Sequence, residues 1–110
     1  MAKLSANGLE LARLTRTTQT DDGDLQTKLS IRSNGWVLRA VRWVNRPGER
    51  PQPLSWSRYI RLKPFDVRST VTMPQQVRDW LDRRDFEFEQ GSMETVQLGW
   101  VELVNKVKRG

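Results

Sequence analysis

The chain contains no cysteine and no histidine. That removes disulfides, thiolate nucleophiles, zinc sites of the usual ligand types and every mechanism that runs through an imidazole. Nowhere do enough apolar residues follow one another to span a bilayer, and Met1-Ala2-Lys3-Leu4-Ser5-Ala6 has no apolar run of signal-peptide length. The expected setting is therefore cytoplasmic, with no membrane partner. No phosphate-binding glycine loop, serine nucleophile elbow or lysine-based catalytic signature occurs. Asp21-Asp22-Gly23-Asp24 begins like a calcium loop, but the twelfth position counted from Asp21 is Arg32 rather than Glu, and a hairpin turn accounts for it better. An enzyme is not expected, nor a cofactor, nor a bound metal.

What the chain does have is length for one domain over 1–110 and the composition of a globular protein, 36% apolar and 29% charged. Nineteen Lys and Arg face thirteen Asp and Glu, a net charge of +6 that favours polyanionic partners. The excess is local. Between Ile31 and Pro64 stand Arg32, Arg39, Arg42, Arg46, Arg50, Arg58, Arg61 and Lys63 against the single Glu49, so this third of the sequence carries the whole positive balance.

Asn7-Gly8, Asp22-Gly23 and Asn34-Gly35 supply residues that tolerate positive φ, as tight hairpin turns require. Between the last two, Leu25, Thr27, Leu29 and Ile31 alternate with Gln26, Lys28, Ser30 and Arg32, the period of a strand with one face on a core. Leu9 to Thr20 breaks strict alternation at Leu9, Leu11 and Leu14, which predicts a strand with a bulge. Trp36 to Val44, β-branched and aromatic, completes a hairpin over 25–44. Asn45 to Pro53 holds three prolines and a glycine and reads as an exposed, mobile arm with Arg46 and Arg50, after which Ser55 to Lys63 resumes strand character. Thr72-Met73-Pro74-Gln75 has the marks of a capped helix start, and Met73, Val77, Trp80 and Leu81 form its apolar stripe. Phe86 and Phe88 alternate with acidic residues. Met93 to Val104 fits either period, and Gly99 with the β-branched content favours a strand.

The constellation that carries chemistry is the interleaving of arginines with aromatics. The candidate binding residues are Arg39, Arg42, Trp43, Arg46, Arg50, Arg58, Tyr59, Arg61 and Lys63. Cations track phosphates while flat rings stack unpaired bases, and a guanidinium grips a phosphate with two hydrogen bonds. Alternation puts Trp36, Leu38, Ala40, Arg42 and Val44 on one side of a strand and Val37, Arg39, Val41 and Trp43 on the other. In the next strand it groups Tyr59 with Arg61 and Lys63, away from Trp56, Arg58, Ile60 and Leu62. The plain counter-reading is that Trp36, Trp43 and Trp56 fill the core of a small domain and the arginines form a solvated face or guard an edge.

The expected fold is α+β: a bent antiparallel sheet of four to six strands, in one form a small, partly open barrel, with one helix over about residues 73–84. Short length, absent cysteine and histidine, and richness in arginine and tryptophan resemble, in composition only, the accessory proteins of phages and other mobile elements. The expected function is non-catalytic nucleic-acid binding, DNA or RNA, through the phosphate backbone. The alternative is a protein-interaction module: a virion or assembly subunit, or an inhibitor docking on a nucleoprotein complex such as a polymerase or a CRISPR machine.

Overall fold

The computed structural model describes residues 8–62, 75–83 and 85–99. Strands β1 (Glu10–Thr20), β2 (Gly23–Arg32), β3 (Trp36–Val44) and β4 (Ser57–Arg61) follow one another as an antiparallel meander. Helix α1 (Gln75–Asp82) comes next, then strand β5 (Glu87–Gln90) and a second helix, α2, over 93–99. The sheet has the order β4-β3-β2-β1-β5 and is not closed into a barrel. The α+β class, the antiparallel sheet and the number of strands agree with the sequence reading.

The two tight turns sit where Asp22-Gly23 and Asn34-Gly35 place them, with both glycines at positive φ. The bulge in β1 is present as well: the register steps from Glu10↔Arg32 to Ala12↔Ile31 and leaves Leu11 unpaired. One element differs from expectation. The strand read over 93–104 is helical over 93–99. Ser92 and Thr95 cap its start reciprocally, the Thr95 amide donating to Ser92 Oγ at 3.3 Å and the Ser92 amide to Thr95 Oγ1 at 2.7 Å. Gly99, counted in favour of a strand, serves close packing instead: a Cβ there would lie 2.5 Å from the Leu11 methyls, so a larger residue would require the Leu11 side chain to move. The expected helix start at Thr72, Met73 and Pro74 and the remainder of 100–107 lie outside the described residues.

The core lies on one face of the sheet, called here the helix-side face. Ala12, Leu14, Leu29, Ile31 and Val37 project there and close with Leu62, Val77 of α1, Phe86 and Val96 of α2, with Ile60, Trp80, Leu81 and Phe88 packed at the margin. None of Trp36, Trp43 and Trp56 belongs to this cluster; all three are half-buried. Trp36 lies on the other face of the sheet, and Trp43 lies on the half of the sheet that this cluster does not reach.

The lower half of the sheet carries this core, and the upper half does not. β5 pairs with β1 only at Arg13, Leu14 and Thr15, and β4 pairs with β3 only from Trp36 to Arg39. Above those residues three strands remain among the described residues, and their helix-side positions are Arg16 and Thr18 on β1, Leu25 and Thr27 on β2, and Arg39, Val41 and Trp43 on β3. Val41 is 47% exposed, so neither helix reaches this far.

Candidate functional site

Charge is treated differently on the two faces of the sheet. On the outer face, the Glu10 carboxylate accepts from Arg13 Nε and Nη2, each at 3.1 Å, and from Ser30 Oγ at 2.6 Å, with Arg32 Nη1 at 3.9 Å. Lys28, almost fully buried, donates from Nζ to both carboxylate oxygens of Glu89 at 2.5 and 2.6 Å. Arg42 donates to Gln26 Oε1 at 2.8 Å and to the Gln52 carbonyl at 3.1 Å. Most cations of this face are thus spent on holding the sheet together.

Rings back arginines on both faces, Arg13 over Trp56 and Arg58 and Arg61 over Trp36 among them, but the helix-side face has arginines whose described partner is a ring alone. Arg39 lies over Tyr59 at 4.4 Å and Arg16 over Phe86 at 4.7 Å, and Arg46 covers Trp43 at 5.1 Å. Arg46 is also 3.6 Å from Glu49, an exposed pair of little strength. Among the described residues neither Arg16 nor Arg39 forms an ion pair with a carboxylate. A ring backs a guanidinium without neutralising it, holding the plane in place while its N–H edge stays available to a phosphate.

Where the covered half of the sheet meets the open half, a pocket of about 200 Å³ is lined by Arg16, Thr27, Leu29, Arg39, Tyr59, Trp80, Arg83, Asp85 and Phe86. Thr27 and Leu29 belong to the sheet. The end of α1 and the residues after it make a wall, held by the edge-to-face packing of Trp80 on Phe86 at 6.3 Å and by the Asp85 amide donating to the Trp80 carbonyl. Among the described residues, Arg16, Arg39 and Arg83 thus converge on one cavity beside the Asp85 carboxylate.

The residues picked out from sequence separate into groups. Arg39, Trp43, Arg46 and Tyr59 gather along the helix-side face, where Arg16, Arg83 and Phe86 join them. Sequence reasoning missed these last three: Arg16 lies in a strand of low charge, and Arg83 and Phe86 arrive from the far side of the molecule. Arg42 sits on the outer face, engaged by two glutamines. Arg58 and Arg61 flank the Trp36 ring at 4.8 and 5.5 Å on the β4 edge. The grouping of Tyr59 with Arg61 is therefore corrected. The register steps from Val37↔Ile60 to Leu38↔Arg58, so Tyr59 is the bulged residue, Ile60 turns to the core, and Arg58 and Arg61 meet on the same ring. The arm over 45–53 is anchored rather than loose at its two ends. Arg46 rests on Trp43, and Gln52 Oε1 accepts from the Trp43 amide; Arg50 is exposed. Beyond it, Trp56 lies against the Arg13 guanidinium at 5.5 Å. Lys63 lies outside the described residues.

Among the described residues no group of carboxylates is placed to hold a metal ion. No protein-family model, curated protein or solved structure matches the chain.

Proposed function

We propose that the protein is a non-catalytic binder of single-stranded nucleic acid, using the open half of the helix-side face. The carrying observation is the division of charge: carboxylates neutralise Arg13, Arg32 and Lys28 on one face, while Arg16 and Arg39 on the other are backed by Phe86 and Tyr59. Along the same surface run Leu25, Val41 and Trp43, so bases have flat and apolar ground between cations that reach the phosphates. Backbone contacts of this kind carry little sequence information.

The test is binding of labelled single-stranded and double-stranded DNA and RNA from about 50 to about 200 mM salt. Three or four phosphate contacts on a single strand correspond to a loss of affinity of roughly 20–50-fold over that range, linear in log–log form. Arg39→Ala with Tyr59→Ala should weaken binding to every sequence alike, by about tenfold or more if one stacked base and one phosphate contact are lost. Arg42→Ala, on the outer face, should change it less than twofold. Equal losses from Arg58→Ala with Arg61→Ala and from the Arg39 and Tyr59 pair would move the interface to the β4 edge. The exposed Val41 and half-buried Leu25 would serve the competing reading as well, a protein-interaction module of a mobile element. That reading predicts salt-tolerant, stoichiometric association with one protein and no affinity for naked nucleic acid.

A further inference from the structure

The open half of the sheet is not a through-channel. A strand of nucleic acid lying on it and running toward the core meets the wall made by Trp80 and Phe86, and the pocket lies at the foot of that wall. A strand that kept straight on along this face would run into α1, whose Val77 packs on the sheet beyond the pocket. A strand that ends at the pocket meets no such obstacle and need not turn away from the surface.

From this geometry we propose that the pocket holds a terminal phosphate, the phosphorylated end of the strand bound on the open face; the inference rests on the nucleic-acid reading above. A phosphomonoester carries about 1.5 to 2 negative charges at neutral pH and three terminal oxygens, against one charge on an internal diester. Arg16, Arg39 and Arg83 line one cavity, and three guanidiniums offer more donors than a diester has oxygens to receive them. The pocket also has a means of moderating its grip. Among the described residues Asp85 is the carboxylate in the lining, and it opposes an anion there. Tyr59, under Arg39, belongs to the same lining, and the first base of the strand would stack on it.

The experiment compares three single-stranded oligonucleotides of one sequence, carrying a 5′-phosphate, a 3′-phosphate or hydroxyls at both ends, at one fixed ionic strength. One of the two phosphorylated forms should bind at least fivefold tighter than the hydroxyl-ended strand. Arg83→Gln, at the solvent-facing end of α1, should bring that ratio close to one, and Asp85→Asn should raise it. The ratio is read within each variant, so a general loss of affinity or stability does not imitate the effect. Equal binding of all three strands overturns the terminal-phosphate site and leaves the nucleic-acid reading standing. A preference that persists undiminished in Arg83→Gln overturns the placement in this pocket. Failure of all three strands to bind overturns the nucleic-acid reading and this inference with it.

Discussion

The Lys28–Glu89 pair is lopsided, and the imbalance decides which partner matters. The lysine side chain is 7% exposed and the glutamate 34%, so water can replace the lysine for the glutamate but not the reverse. Glu89→Ala leaves a buried ammonium without its two acceptors and should cost about 1–3 kcal/mol. Lys28→Met removes the charge and keeps much of the volume, and should cost less than about 1 kcal/mol. Urea denaturation of the two variants checks the order; a larger loss in Lys28→Met would show that the pair is not what stabilises β5 against the sheet. At this scale the sequence was informative about chemical type and silent about setting. Trp36, Trp43 and Trp56 were readable as large rings that need a neighbour. That the neighbours are Arg58, Arg61, Arg46 and Arg13 rather than a core depends on what covers each face, which alternation along one strand does not contain.

Among the elements, the long β1–β2–β3 unit is one piece of sheet with two environments. Leu14, Leu29, Ile31 and Val37 sit under the helices, whereas Thr18 and Thr20 on β1 have no strand outside them among the described residues. Hydrogen exchange should follow this division. Amides of the lower half should approach the protection of global unfolding, and those of Arg16–Thr20 should exchange orders of magnitude faster. Uniform protection along β1 would mean that something pairs with its upper edge. This unit was also the most legible part of the fold, because period-two alternation and two Asx-Gly turns are local signals that agree with each other. The tail was the least legible. Phe86 and Phe88 alternate, yet their place is fixed by β1, and Phe88 finds Leu14 from the other end of the chain. For 93–99 both periods fitted, and the decision came from the Ser92 cap together with Val96 and Gly99 packing toward β1. The bulge at Tyr59 was invisible for a related reason: its register belongs to the pairing with β3, and shifting it by one residue exchanges the faces of Tyr59 and Arg61.

Over the whole molecule, the net charge of +6 does not show that Arg13, Lys28 and Arg32 are matched by carboxylates on the outer face while Arg16 and Arg39 on the opposite face lie over rings. Sequence could show the basic third but not this partition, since Glu10 and Glu89, which produce it, lie outside that third. The strand order has a consequence of another kind. β4 and β5 occupy opposite edges of the sheet, so the chain between them must traverse it, and the pairing of β1 with β5 closes a far longer loop than any turn of the meander. Contacts that require long loop closure form late. In stopped-flow refolding, Leu29→Ala, at the centre of the meander, should slow folding, while Phe88→Ala and Val77→Ala should leave the folding rate nearly unchanged and speed unfolding. The pocket wall, contributed by the same late segment, is then assembled last and opened first, so a strand end held there as proposed would be released by local opening of the molecule's edge as well as by loss of its charge contacts.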